Sequence, residues 1–396
     1  MHVVCPQRQR RAVFLHLVRV CLFLFLFITT TACDGGPTRP QGDSTPTPTD
    51  PASALDTLFT TTALQENFSG AVYIVQGKKV LLHKGYGQAN WAMNVSNTTQ
   101  TKFRIAGLSE QFNALAILLL QDQGKLHVQD AICDYISDCP DSWLAITIEQ
   151  LLTGTSRITD YTTLPDYPDT KATPTTPDQL IDRVKDRPLA IKTNQTPTWS
   201  ATDQVLLGVI IERVSGETYA QYLQHAIFDP LHLRNTGYDQ DHPKLPEHAT
   251  GYTQARIPAD YVDMSVLYAA GGLYSTIDDL YAFDQALIQR KIGSRSTQDA
   301  LFSEQYVLCK VETSCGGRFS ELGMGYGWIV GKEIVGKAKN LTRPIFFDNG
   351  WSEGFSASNR YYPDQKLTVI WLSNIQNLPQ DTDRLIENKL FPTAAS

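Results

Sequence analysis

The run Phe103-Arg104-Ile105-Ala106-Gly107-Leu108-Ser109-Glu110-Gln111-Phe112 passes from a short extended stretch into a helical pattern. Over residues 109–123 the apolar positions Phe112, Leu115, Ile117, Leu118 and Leu119 recur across several turns and Gly124 supplies a stop, which predicts a largely buried helix. At its start Ser109 has the chemistry of an N-cap, and Glu110 in the first turn complements the positive end of the helix dipole. On the N-terminal side, residues 71–75 and 80–83 alternate apolar and polar side chains around Gln76-Gly77-Lys78, the pattern of a hairpin. On the C-terminal side, residues 206–214, ended by Ser215-Gly216, and 276–288, after Gly271-Gly272, read as helices. Residues 354–362 and 367–372 flank Pro363-Asp364-Gln365-Lys366 as a second hairpin. Strands at both ends of a chain whose middle is helix-rich, roughly residues 95–265, predict an α+β fold in which the two ends share one antiparallel sheet flanked by helices.

The 396 residues are enough for one large core, and 42% hydrophobic content with 17 Tyr and 16 Phe lies well above what disordered chains carry. A net charge of -7 with no long basic run beyond the extreme N-terminus argues against a nucleic-acid partner. That N-terminus has three zones: a basic stretch with Arg8, Arg10 and Arg11, an apolar stretch over residues 20–28, and small residues ending Thr31-Ala32-Cys33. Together they read as an export signal over residues 1–32, too short in its apolar part to span a bilayer of about 30 Å. Small residues followed by cysteine resemble the bacterial lipobox, which makes Cys33 the expected lipidation site and tethers the chain to a membrane. Thr30 stands where an aliphatic residue is usual, so plain secretion and an uncleaved anchor stay as rival readings. Residues 33–56 then read as a lipidated N-terminus and a Pro/Thr-rich tether, and 57–392 as the folded body. Outside the cytoplasm Cys133, Cys139, Cys309 and Cys315 are available for two disulfides, and their short separations favour local staples, 133 with 139 and 309 with 315. Metal ligation needs spacings of the Cys-x-x-Cys kind, which are absent, and no cofactor is expected.

Several phrases, in order, resemble the serine beta-lactamase family, in particular its class C and penicillin-binding-protein-like branch of esterases and D-peptidases. They include Tyr86-Gly87-Gln88-Ala89-Asn90, Phe103-Arg104-Ile105, Ile146-Thr147-Ile148-Glu149-Gln150-Leu151-Leu152-Thr153, Leu206-Leu207-Gly208, Ala270-Gly271-Gly272-Leu273-Tyr274-Ser275-Thr276 and Tyr362-Pro363-Asp364. The resemblance implies the beta-lactamase/transpeptidase-like fold and a pocket built from three elements. The family reads Phe-Arg-Ile-Gly-Ser-x-x-Lys-Gln-Phe at the first, where a lysine one helical turn on accepts the serine proton. Here Gly107 stands at the nucleophile and Glu110 at the lysine. The second, Tyr-x-Asn, has become Trp199-Ser200-Ala201; an indole donates a hydrogen bond but is no base, and alanine offers nothing. The third, His-x-Gly or Lys-Thr-Gly, reads Asp348-Asn349-Gly350, and the family's Thr-His-Thr-Ser-Gly has become Thr153-Gly154-Thr155-Ser156-Arg157.

Loss of a serine nucleophile costs about a millionfold in turnover, or roughly 8 kcal/mol of barrier. Ser109 lies two residues past the expected place, about 200° around a helix, and so should face away from the pocket. The chain therefore reads as a non-catalytic lipoprotein, a binding or scaffold module for a small ligand, a cell-wall peptide or a partner protein at the cell envelope. The rival reading is a serine hydrolase of esterase, D-peptidase or beta-lactamase type with a non-standard nucleophile. If the fold is kept, Glu110, Asp348, Trp199 and Trp351 surround the old pocket and replace a cationic lining with an acidic, aromatic one suited to an amine or quaternary cation; drift in a retired site accounts for the same residues without a ligand. Asp278-Asp279 and the acidic stretch 239–241 read as a helix start and a polar loop rather than a metal site, and His83, His127, His225, His232, His242 and His248 as structural or exposed.

Overall fold

A computed structural model describes residues 50–60, 67–190, 199–240, 247–311, 315–335, 341–379 and 381–391. The export signal, Cys33, Asp241 and His242 lie outside the described residues.

The body is built on one eight-stranded antiparallel sheet. Its strands are β1 (Gly70–Gln76), β2 (Lys79–Tyr86), β3 (Tyr306–Cys309), β4 (Phe319–Met324), β5 (Ile329–Val335), β6 (Leu341–Ser352), β7 (Phe355–Tyr362) and β8 (Leu367–Ser373), in the spatial order β3-β4-β5-β6-β7-β8-β1-β2. Both expected hairpins are present, and β1 pairs with β8 through seven residue pairs, from Gly70 with Ser373 to Gln76 with Leu367. Strands from the two ends of the body thus pair directly, with only β2 between β1 and the sheet edge.

Side chains alternate across the sheet because the strand period is two, and each face has its own core. Ala71, Ala357, Ile370 and Leu372 point to the helical middle of the chain. Val72, Ile74, Ile345, Phe347, Val369 and Trp371 point to the opposite side, where two terminal helices, α1 (Pro51–Thr60) and α6 (Thr382–Leu390), pack on each other. α1 opens inside the segment read as tether up to residue 56: Leu55, Leu58 and Phe59 recur at helical spacing, are buried, and Phe59 stacks on Tyr86. Pro and Thr on its N-terminal side mask that spacing in a composition-based reading.

On the other face sit α2 (Ser109–Asp122), α3 (Ile148–Leu152), α4 (Ala201–Ser215) and α5 (Ile277–Ile288). α3 starts with a full capping box, Thr147 with Gln150, and α4 ends where Gly216 turns left-handed at φ 77°. α2 is buried nearly all round and packs against α4, as expected of a helix enclosed between sheet and helices. The disulfides Cys133–Cys139 and Cys309–Cys315 both form as local staples.

One local expectation is overturned. The N-cap of α2 is Leu108, and Ser109 caps nothing: its Oγ is buried without a partner. The cause is the 3-10 turn Ala106–Leu108 that leads straight into α2, so the N–H of Ser109 bonds back to the carbonyls of Ala106 and Gly107 and the chain has no extended cap position there. The remaining charged groups make structural contacts, although Asp239 and Asp279 are buried rather than solvated. His83 pairs with Asp278 at 2.6 Å and His225 with Glu217 at 2.7 Å, Asp279 accepts from Asn235 and Thr236, and Arg104 pairs with Asp239 at 2.8 Å. His127 and His232 are exposed, and burial drives the ring of His248 down to about 4.

Candidate functional site

The three family elements converge. The turn Ala106–Leu108 lies against β6 so closely that a Cβ on Gly107 would stand 3.0 Å from the carbonyl oxygen of Asn349, and one on Gly350 would stand 2.2 Å from that of Ile105. Gly350 is therefore held for backbone approach, independent of any chemistry. Gly107 carries no group at this contact, and the strand carbonyl fills the space into which a side chain would grow.

Beside this contact opens a cavity of about 280 Å³ lined by Glu110, Trp199, Ser200, Gln204, Asp348 and Asn349, by Thr153 and Gly154 after α3, and by the apolar side chains Leu151, Leu152, Leu308, Met324 and Ile329. Three of the expected pocket residues, Glu110, Trp199 and Asp348, are thus brought together. Gly107, Ala201 and Gly350 are not among the lining residues, and Ala201 is fully buried at the start of α4. The expectation that Trp351 lines the pocket is corrected. Along β6 the positions alternate, so Trp351 shares its face with Ile345 and Phe347 on the side of the terminal helices, opposite Asp348, and is 61% exposed.

Electrostatics make Glu110 and Asp348 a pair. Both side chains are buried and face each other. Burial pushes the Glu110 carboxyl up to about 7, against the pull of hydrogen bonds from Asp348 and the Trp199 indole. Burial and the neighbouring Glu110 charge hold the Asp348 carboxyl well above the usual carboxylate range, with the backbone N–H of Asn349 and the charge of Arg360 opposing. Asp348 Oδ1 accepts that N–H at 2.7 Å, while Oδ2 has no N–H donor. Two carboxylates cannot share such a space with both ionised, so the pair holds a proton between them. Glu110 also accepts from Gln204 Nε2 at 3.4 Å. Gln204 in turn accepts from Asn113 Nδ2 at 2.8 Å, and Asn113 Oδ1 takes the Tyr219 hydroxyl at 2.6 Å. This buried polar chain fixes the orientation of the Gln204 amide.

Gln204 and Asn113 escaped the sequence reading, although each is a polar residue on a helix whose neighbours are apolar. Two further positions carry strain. Ala106 stands at φ 49° and Arg157 at φ 65°, both where the family pattern has glycine. A side chain in the left-handed region is disfavoured by roughly 1–2 kcal/mol, so the surrounding fold imposes these conformations on residues poorly suited to them.

Comparison with known proteins agrees with the geometry. A family model described as Beta-lactamase matches residues 55–391. The chain belongs to the beta-lactamase family. Putative penicillin-binding protein PbpX of Bacillus subtilis is 31% identical over 315 residues, 78% of this chain and 71% of that protein. Among solved structures, the octameric penicillin-binding protein homologue from Pyrococcus abyssi matches with a TM-score of 0.71 at 24% identity, over 85% of this chain and 76% of that one. A class C beta lactamase from Rhodobacter sphaeroides matches with a TM-score of 0.68 at 20% identity, over 86% and 98%. The α+β architecture of the beta-lactamase family is therefore the architecture of this chain, and the family is one of serine hydrolases.

Within that family frame, the hydroxyls nearest the cavity are already occupied. Thr153 Oγ1 donates to the Glu149 carbonyl at 2.8 Å, Ser200 Oγ accepts the Asp203 N–H at 3.4 Å, and Ser156 Oγ donates to Asp203 at 2.6 Å. Among the described residues no serine hydroxyl is hydrogen-bonded to a lysine amine or a histidine ring.

Proposed function

We propose that this member of the beta-lactamase family is a non-catalytic binding module, exported and held at the cell envelope by a lipid on Cys33, with the cavity beside Glu110 and Asp348 kept as a ligand site. One observation carries the reading: among the described residues the lining of the cavity includes no lysine, arginine or histidine, and residue 107 presents no side chain to it. Acyl transfer by a serine hydrolase needs a hydroxyl set against a base and donors placed for the developing oxyanion. Glu110 occupies the place of the base, but its partners are an acid, an amide and an indole, none of them a nucleophile. The cationic groups that would seat a substrate carboxylate are replaced by two acids, which repel it.

A hydrolase with an unconventional nucleophile is the opposing possibility, and one experiment separates the two. The purified exported chain is incubated with a fluorophosphonate probe, a penicillin and a chromogenic ester, and its intact mass is measured. The expected result is an unmodified mass and no ester turnover above buffer. A stoichiometric adduct on any serine overturns the proposal.

A further inference from the structure

We propose that the cavity takes up a primary ammonium on an apolar stem, which binds at Glu110 and Asp348 by displacing the proton those two carboxyls share. The inference rests on the cavity being a ligand site, as proposed above. Asp348 is 4% exposed and its Oδ2, inside the lining, meets no N–H donor; the group that faces it is a second acid. Two acceptors set against each other require a hydrogen-bonding cation between them, and either a proton or an N–H-bearing cation meets that need.

The other neighbours leave this vacancy of partners intact. Glu110 is faced by Asp348, Trp199 and Gln204; Asp348 is faced by Glu110, the Asn349 backbone and, at longer range, Arg360. The Arg360 guanidinium is engaged elsewhere, paired with Asp383 and Glu387 of α6 on the opposite face of the sheet. Among the described residues no basic side chain lines the cavity, so none of them competes with an incoming cation. Trp199, 46% exposed at the edge, donates to Glu110 and adds an indole, the ring most favourable to cations.

The rest of the wall specifies the remainder of the ligand. Leu151, Leu152, Leu308, Met324 and Ile329 make most of the surface apolar, so the stem is a short alkyl or aryl group. A cavity of about 280 Å³ admits a small molecule only. The unmet acceptor selects N–H donors, which favours primary amines over quaternary ones. The exchange balances: the ammonium enters with its bonds intact, the shared proton leaves to buffer, and one positive charge replaces another.

Isothermal titration of the exported chain with hexylammonium, in buffers of equal pH but different ionisation enthalpy, tests this directly. Above pH 7, where one proton remains between the two acids, one cation for one proton predicts about one proton released per ligand and a Kd that tightens about tenfold per pH unit between pH 7 and pH 9. Hexanol and hexanoate should give no binding heat, and hexyltrimethylammonium should bind at least tenfold more weakly. Glu110→Gln and Asp348→Asn should abolish the proton release; because the unmodified chain already reports the proton count, the test stands even if a variant fails to fold. Absence of hexylammonium binding at pH 8, binding without proton release, or equal binding of the quaternary analogue overturns the inference. The same preparation, exposed to fluorophosphonate, separates the two proposals: an adduct refutes the non-catalytic reading, whereas no adduct and no amine binding refute this inference alone.

Discussion

Replacing Glu110 with glutamine should make the protein more stable at alkaline pH, the reverse of what deleting a buried hydrogen-bonding acid usually does. Its carboxyl sits at about 7 in the folded chain against an ordinary 4.5, so the folded state holds the proton more tightly than the unfolded one. The sign follows from linkage: the stability tied to this proton is fully present below pH 4.5, declines as pH rises, and is lost above about 7. At about 1.4 kcal/mol per pH unit, the wild type gives up on the order of 3 kcal/mol over that interval. Glutamine cannot ionise, yet its amide can still donate to Asp348 and accept from Gln204 and Trp199. The two proteins should therefore match near pH 4.5, and Glu110→Gln should be the more stable by about 3 kcal/mol at pH 8. Urea denaturation across pH 4.5–8.5 measures this. Asp284, pushed up to about 8 by burial, and Asp203, raised well above its ordinary range, titrate in both proteins and drop out of the difference. Parallel stability curves, or a variant weaker by the same amount at every pH, would refute the paired-acid description of the cavity.

Restoring the two formal catalytic residues, Gly107→Ser with Glu110→Lys, should not restore acylation by penicillin: Trp199 and Ala201 still replace Tyr and Asn, and a Cβ at 107 meets the Asn349 carbonyl at 3.0 Å; intact-mass spectrometry should show no adduct after hours. Ala106→Gly and Arg157→Gly should each stabilise the fold by about 0.5–1 kcal/mol in urea by relieving left-handed strain, net of the added freedom of the unfolded chain. Arg360→Met strands Asp383 without its buried cation, leaves Glu387 to Arg318 alone, and should destabilise by about 3–5 kcal/mol; a loss under 1 kcal/mol would remove the claim that Arg360 pins α6 to the sheet. Cys33→Ser should shift the protein from the membrane pellet to the soluble fraction and end incorporation of labelled palmitate; an unchanged pellet would refute lipid anchoring.

What could be read in the sequence followed from how local each signal is. The hairpins β1–β2 and β7–β8 announce themselves through period-two alternation around Gly77 and Pro363, and α2 through a long apolar run, since each is encoded within about twenty residues. β3, β4 and β5 are not announced. β4 and β5 form a hairpin across residues 325–328, but Gly323 and Gly331 interrupt the alternation at positions where Glu304 and Leu322 already fill the Cβ space, so the period-two signal is lost. α1 was missed in part for a different reason: its burial depends on β2 and α6, one of which closes the chain more than three hundred residues later.

The cavity was legible to the extent that backbone placement outlives side-chain chemistry. The sequence places Glu110 and Asp348 together because a helix start and a strand, held by the Gly107–Gly350 contact, fix where those side chains begin. Trp351 was misplaced because adjacency in sequence was taken for adjacency in space, and a strand sends consecutive side chains to opposite faces. The network behind Glu110 was invisible for another reason: Gln204, Asn113 and Tyr219 lie up to 106 residues apart, and their hydrogen bonds depend on α2 crossing α4. That network bears on drift versus selection. A retired site under no constraint would be expected to leave a buried acid pair with unmet acceptors or to lose it to apolar residues, which fill such space at lower cost. Here Glu110 is held by an oriented amide and an indole, and Asp348 Oδ2, buried and without an N–H donor, leaves the acid pair as the one part of the network that needs a proton or another cation. An arrangement satisfied everywhere except between two acids at the wall of a cavity is what a cation site requires, and random substitution has no reason to produce it.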